Sequence, residues 1–176
     1  MSGIKTVFIV GPTASGKTEL GIKLAKKFNG EIISADSMQI YKNIPIASAV
    51  PSDEEMCGIK HRLLEFLEPE SEFSVADYVD LARNAVKEIN SIGKLPIVVG
   101  GTGLYINSLA DNILFTDEPE NSTLREEIAK RFSEIGGENM LAELSKIDPE
   151  AAAKLHPSDK KRIIRAFEVY YLTGKT

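Results

Sequence analysis

The residues Gly11-Pro12-Thr13-Ala14-Ser15-Gly16-Lys17-Thr18 constrain this chain more than any other stretch, because they fit the pattern G-x-x-x-x-G-K-[ST]. An apolar run, Thr6-Val7-Phe8-Ile9-Val10, leads into them, and Leu20, Leu24, Ala25 and Phe28 recur at helical spacing behind them. Strand, loop, helix is the context in which such a loop curls its successive N–H groups around an anion. The start of the helix adds a partial positive charge. In this pattern Gly11, Thr13, Ala14, Ser15 and Gly16 form the cradle, Lys17 serves the outer phosphates and Thr18 serves Mg²⁺. A Gly-rich turn with no ligand is the competing reading. The loop implies a polyphosphate, but neither which one nor what reaction follows.

The alternation continues downstream. Glu31-Ile32-Ile33-Ser34-Ala35 reads as a second strand after Gly30 stops the first helix, and Leu95-Pro96-Ile97-Val98-Val99 as a third, apolar throughout and so buried on both faces. Between them, prolines at 45, 51 and 69 break the chain around a short helix near 52–59. Ser74 with Asp77 then caps a helix whose apolar positions run from Val75 to Ile89, ending at Gly93. Gly100-Gly101-Thr102-Gly103 leads into another helix at Leu104. Strands alternating with helices predict an α/β fold: a P-loop NTPase-like parallel sheet with helices on both faces. Such sheets bind ligands at the carboxyl ends of their strands, where the loop, Asp36 and Thr102 all fall.

After residue 115 the pattern becomes helical. A linker over 118–121 precedes a capping box of Thr123 with Glu126, and Leu124, Ile128, Phe132 and Ile135 make an apolar stripe. Gly136-Gly137 breaks it, a second helix runs through Met140, Leu141 and Leu144, and Asp148-Pro149 opens a third. A last helix over 158–172 is predicted to be capped by Ser158 and ended by Gly174. These boundaries divide the chain into a core over 1–115, a helical insertion over 116–156 and a helix over 157–176 returning to the core.

Composition narrows the class. With 176 residues and 43% hydrophobic content the chain can bury a real core. No apolar run reaches transmembrane length and no signal peptide precedes the first strand, so no membrane association is expected. The single Cys57 allows no internal disulfide, which suits the cytoplasm, and reads as a plain small side chain. The net charge of −5 does not advertise a nucleic-acid binder, but the charge is uneven. Asp117 to Glu150 holds ten acidic and four basic residues, whereas Ser158 to Thr176 holds five basic and two acidic. A local basic patch is what meets phosphates.

Many hydrolases with such a loop place an Asp at the end of an apolar strand to hold Mg²⁺ and polarise water. Here the strand ends in Gly-Gly-Thr-Gly, which points to chemistry in which water is not the nucleophile. Asp36, at another strand end, is the candidate general base; an N-cap, or a carboxylate holding a water on Mg²⁺, are its other readings. The Thr102 hydroxyl can donate to an anionic oxygen or cap the next helix. Arg162 and Arg165 share a helix face flanked by Lys160 and Lys161, opposite an apolar face of Ile163, Ile164, Phe167 and Tyr170. That basic face suits phosphate, or is simply solvated. His61 reads as a structural hydrogen-bonding residue, and His61 and His156 lack metal-ligand spacing.

Taken in order, the loop at 11–18, Asp36-Ser37-Met38-Gln39-Ile40-Tyr41 and Gly100-Gly101-Thr102-Gly103-Leu104-Tyr105 resemble the tRNA dimethylallyltransferase family. His61-Arg62-Leu63-Leu64, Ile147-Asp148-Pro149 and His156-Pro157-Ser158-Asp159 followed by Arg162-Ile163-Ile164-Arg165-Ala166-Phe167-Glu168 agree. The resemblance implies transfer of a dimethylallyl group from dimethylallyl diphosphate to N6 of the adenosine 3′ of a tRNA anticodon. It implies that Asp36 takes the amine proton and that Thr102 meets the diphosphate bridge or the adenosine. It implies that Ser37, Met38 and Gln39 line the base pocket, and that Ser15 to Thr18 hold diphosphate and Mg²⁺. By resemblance Arg125, Lys161, Arg162 and Arg165 meet the tRNA anticodon stem-loop, the insertion faces tRNA, and the protein is a monomer. The base must leave its stack to reach such a crevice.

Two departures stand out. Family members carry Gly-Thr-Ala-Lys-Pro where this chain has Ala47-Ser48-Ala49-Val50-Pro51, so Val50 replaces a lysine expected near tRNA. The chain also stops at Gly174-Lys175-Thr176, where the family runs on for a second half. The resemblance therefore implies an N-terminal portion, or a short relative, that transfers prenyl groups poorly alone. The alternatives are a small-molecule kinase using ATP, a fragment that binds diphosphate or RNA without chemistry, and an adenylate prenyltransferase.

Overall fold

The structure is a computed structural model and describes residues 3–43, 50–111 and 122–174. Four short runs, β1 (Val7–Val10), β2 (Gly30–Ala35), β3 (His61–Arg62) and β4 (Leu95–Gly100), form one sheet in the order β1-β4-β2-β3. Every pairing is parallel. Helices α1 (Lys17–Phe28), α2 (Asp53–Met56), α3 (Val75–Ser91) and α4 (Gly103–Ala110) connect or follow the strands. Successive strand residues point to opposite faces, which accounts for the unbroken apolar runs. Ile32, Ile97 and Val99 pack with Ile22 and Ala25 of α1. Ile33, Ala35 and Val98 pack instead with Tyr78, Val79, Ala82 and Val86 of α3 and with Leu109 of α4. Each fully buried aliphatic side chain contributes about 1.5–3 kcal/mol, so the two faces together fix the strand register.

That register sets the site. Val10 pairs with Gly100, and Gly100 pairs with Ala35. Three adjacent strands therefore end at one level, and the loops leaving them start side by side. The strands approach closely there: a Cβ on Gly100 would lie 2.2 Å from the Ala35 carbonyl oxygen.

The helix limits follow local chemistry. α1 covers the predicted span, but Asn29, at φ 51°, ends it, and Gly30 opens β2. At α3 the capping box is present: the Asp77 N–H donates to Ser74 Oγ (3.2 Å) and the Ser74 N–H to Asp77 Oδ2 (2.8 Å). The Ser74 hydroxyl also donates to Asp77 Oδ2 (2.7 Å), and that bond first, then the one from the Ser74 N–H, holds the Asp77 carboxyl below its usual range. At the opposite end of the sheet from the loops, Glu31 is 3% exposed. Its carboxylate accepts from Lys94 Nζ (3.0 Å) and Arg62 Nε (3.0 Å). Burial raises the Glu31 pKa, but the Lys94 and Arg62 bonds outweigh it and hold the carboxyl below its ordinary value.

The chain divides into two compact units, Met1–Phe115 and Thr116–Thr176. The second is built of α5 (Ser122–Ile147), α6 (Pro149–Ala153) and α7 (Lys160–Thr173). The expected linker at 118–121 lies outside the described residues. Thr123 stands inside the first turn of α5, so the expected capping box with Glu126 is not formed there; the helix starts one residue earlier. The break does fall at Gly136, whose φ of 79° and ψ of 162° interrupt the helix. Gly137 beside it leaves room for a backbone: a Cβ there would meet the Pro157 carbonyl oxygen at 1.8 Å. Asp148 caps α6 by accepting from the Ala151 N–H (2.9 Å), as expected. At α7 the cap position belongs to Asp159 and not to Ser158, whose hydroxyl is taken by His156 Nδ1 at 2.7 Å. Gly174, at φ 66°, ends α7. Ile163, Ile164 and Phe167 of α7 share one core with Ile128, Met140 and Leu144 of α5, so the last helix packs within this helical unit. No helix among the described residues is long and apolar enough to cross a membrane.

Candidate active site

A cleft of about 580 Å³ opens at the carboxyl ends of the strands. From the loop after β1 it is lined by Pro12, Thr13, Ala14, Lys17 and Thr18. From the segment after β2 come Asp36, Met38 and Gln39, and from the end of β4 come Gly100, Gly101 and Thr102. Three sequence segments read separately as chemical thus meet in one space. Ser15 and Gly16 line an adjoining hollow with Lys17 and Thr18. Gly11 opens the loop: a Cβ there would meet Ser15 Oγ at 3.0 Å, and its carbonyl oxygen is 3.3 Å from where a Cβ of Gly101 would stand.

The loop has the backbone shape of an anion cradle. Ala14 (φ 62°) and Gly16 (φ 79°) are left-handed, which turns the intervening peptide groups toward a common centre. Gly16 occupies the N-cap of α1 and offers no capping side chain, so the first-turn N–H groups stay open to a ligand. Lys17 Nζ folds back on its own loop, donating to the Pro12 carbonyl and, at 3.4 Å, to Ser15 Oγ.

Asp36 is tied on one side only. Its Oδ1 accepts from the Met38 N–H at 2.9 Å, and Oδ2 makes no hydrogen bond among the described residues. Thr102 bonds three ways to the same segment. Its N–H donates to the Ala35 carbonyl (3.1 Å), and Oγ1 accepts from the Ser37 N–H (2.9 Å) and donates to Ser37 Oγ (3.3 Å). Ser37 is held in this way and does not itself line the cleft. Although Thr102 stands at the N-cap of α4, its side chain makes no capping bond.

Several contributors escaped the sequence reading. Ser34, 2% exposed, lines the cleft and donates to Gln39 Oε1 at 2.9 Å. A lone polar residue inside an apolar strand was the available signal. Tyr78, which the helical stripe assigns only to the core, donates its hydroxyl to the Ser34 carbonyl (3.0 Å) and stacks on Tyr105 with ring centroids 4.0 Å apart. Burial, and then the neighbouring Tyr105, push the Tyr78 pKa far up. Burial also raises that of Tyr105, helped by Tyr41, Asp77 and Asp36. His61 borders the cleft with Nδ1 donating to the Ile59 carbonyl at 2.9 Å, a structural bond as expected. Burial holds the imidazole below its ordinary pKa, partly offset by that carbonyl.

The remaining expected residues lie in the helical unit. Arg125 is on α5, and Lys161, Arg162 and Arg165 are exposed on α7. Arg165 donates to Glu168 Oε2 at 2.9 Å, and Glu168 is itself fully buried. Val50 is half-buried, while residues 47–49 lie outside the described residues.

Comparison with known proteins finds close similarity to one family. Residues 39–176 match the IPP transferase family. A tRNA dimethylallyltransferase of Thermoanaerobacter sp. (strain X514) is 51% identical over 172 residues, covering 98% of this chain and 55% of the relative. The crystal structure of the tRNA isopentenylpyrophosphate transferase of Bacillus halodurans is 45% identical with a TM-score of 0.65, covering 98% of this chain and 57% of the other. A eukaryotic dimethylallyltransferase whose crystal structures show it acting on tRNA is 37% identical with a TM-score of 0.83, covering 97% of this chain and 42% of the other. The chain thus spans about half the length of the curated relatives it matches. With most of its length matched to the family and half its residues shared with a curated member, this chain belongs to the IPP transferase family.

Proposed function

We propose that this chain carries the site at which a dimethylallyl group passes from dimethylallyl diphosphate to N6 of the adenosine 3′ of a tRNA anticodon. The observation that carries the reading is the convergence of the 11–18 loop, Asp36 and Thr102 on one cleft. We read the loop as a P-loop and the sheet as P-loop NTPase-like. Gly11, the residues from Thr13 to Gly16, and Lys17 cradle the diphosphate, with Lys17 exchanging the Pro12 carbonyl for a phosphate oxygen. The N6 lone pair forms a bond to the allylic carbon as the carbon–oxygen bond breaks. Diphosphate leaves with the electron pair, and Asp36 Oδ2 takes a proton from the amine. The end of β4 offers glycines and Thr102 where a hydrolase would hold water with a carboxylate, which favours an amine nucleophile.

The donor set suits Mg²⁺. No group of three or more His, Cys, Asp or Glu side chains able to cage a metal exists among the described residues. Mg²⁺ bound mainly through substrate phosphates and water needs only one or two protein oxygens. Thr18 supplies one beside the cradle. When bound, the ion would neutralise charge on the leaving diphosphate. Met38, Gln39 and Thr102 would border the adenosine with Ser37 supporting them from behind, and Arg125, Lys161, Arg162 and Arg165 would meet the RNA backbone. Arg165 would have to share its guanidinium with Glu168, which already holds it.

Calorimetric titration with dimethylallyl diphosphate and with ATP, each with Mg²⁺, tests the reading. Binding of the prenyl diphosphate, weakened at least about tenfold (1.4 kcal/mol) in Lys17→Ala, is expected. Preferential binding of ATP would replace the transferase reading with a kinase.

A further inference from the structure

Thr102 sits where a helix-capping threonine belongs, at the first position before α4, and yet its side chain makes no bond to that helix. A capping hydroxyl accepts from an N–H two or three residues ahead. Here Oγ1 turns away and accepts instead from the Ser37 N–H at 2.9 Å, 65 residues distant in sequence. The Thr102 N–H reaches the same segment and donates to the Ala35 carbonyl at 3.1 Å. These two partners are the peptide groups on either side of Asp36. The Met38 N–H then fixes Asp36 Oδ1 at 2.9 Å, leaving Oδ2 as the oxygen without a bond among the described residues. Gly100 permits the approach, since any Cβ there would collide with the Ala35 carbonyl.

We propose that Thr102 is a positioning residue: it clamps the backbone on both sides of Asp36 and so aims the free carboxylate oxygen into the cleft. This rests on reading Asp36 as the base. The hydroxyl proton is engaged as well, directed at Ser37 Oγ at 3.3 Å and not into the cleft. In this role Thr102 acts through Asp36.

Hydrogen exchange of individual amides, followed by NMR on the whole chain without ligand, tests the clamp. In Thr102→Val, which keeps the side-chain shape and removes Oγ1, the Ser37 and Met38 amides are expected to exchange at least tenfold faster. The strand amides of Ile33 and Val98 should keep their rates, which shows that the variant is folded. Thr102→Ser restores the hydroxyl and should restore slow exchange at both sites. Unchanged exchange at Ser37 or Met38 in Thr102→Val overturns the proposal. So does acceleration confined to the first turn of α4, which is the signature of an ordinary cap. The measurement needs no prenyl transfer, so failure of dimethylallyl diphosphate to bind would sink the proposed function and leave the clamp standing.

Discussion

Tyr78 and Tyr105 offer a paired experiment in which one oxygen atom is removed from each of two stacked rings. The rings lie 4.0 Å apart, nearly parallel. The Tyr78 hydroxyl is buried and donates to the Ser34 carbonyl, whereas the Tyr105 hydroxyl has no hydrogen-bond partner among the described residues. Tyr78→Phe leaves no cavity large enough to matter and keeps the stacking, so its cost is that of a buried carbonyl losing its donor, about 1–3 kcal/mol. Tyr105→Phe removes no bond and should cost under about 0.5 kcal/mol. Equilibrium urea unfolding at pH 7 gives both numbers, with the slope against urea unchanged in either variant. The pH dependence adds a second signature. The folded-state pKa of Tyr78 is raised above its unfolded value near 10.0. Its contribution is therefore complete below pH 10 and is lost as pH rises through the folded value. Tyr78→Phe should flatten this alkaline loss, and Tyr105→Phe should lessen it only slightly. If the two variants are equally stable at pH 7, the assignment of the Ser34–Tyr78 bond as a support of the β2 end is wrong.

Two other perturbations read different parts of the fold. Gly137→Ala would push a methyl group onto the Pro157 carbonyl, where backbone cannot rotate aside; a loss of about 1–3 kcal/mol is expected in thermal unfolding of the helical unit. Wild-type stability there would show that the chain at 157 moves freely. For Glu31, whose folded pKa is depressed below 4.5, the stabilisation is present above that pH and lost as pH falls through the folded value. Glu31→Gln should therefore be less stable at pH 7 and show a shallower acid-unfolding slope in circular dichroism. Arg62→Met, which strips one partner from a buried carboxylate, should cost about 3 kcal/mol, and a neutral result would mean that Lys94 alone suffices.

What was legible in the sequence was local. The span of α1, the capping box at Ser74 and Asp77 and the break at Gly136 depend on residues within four positions of one another, and all are present. At the last helix locality misled: Ser158 is a good cap by type, but the His156 ring engages its hydroxyl and Asp159 takes the cap position, which only the folded loop reveals. β3 was missed because two residues give no period to read, and it forms only because β2 offers an open edge. At the cleft, Lys17, Asp36 and Thr102 were found by type and by strand-end position. The bond from Ser34 to Gln39 and the turning of Thr102 toward Ser37 depend on how β2 and β4 lie beside each other, and no short window contains both partners.

The pairing of Val10 with Gly100 and of Gly100 with Ala35 has a metrical consequence. Neighbouring strands stand about 4.8 Å apart, so the loop after β1 and the carboxylate after β2 leave the sheet roughly 10 Å from each other, with the end of β4 between them. That width is not adjustable by side chains; it comes in whole strand spacings. Along the strands the unit is the residue rise of about 3.3 Å, while reacting groups misplaced by about 1 Å can lose a hundredfold in rate. A one-residue slip would therefore carry Asp36 several tolerances away from the anion cradle. Ile33 and Val98, buried against α3 and outside the lining of the cleft, hold the ruler against which the proposed chemistry is laid out.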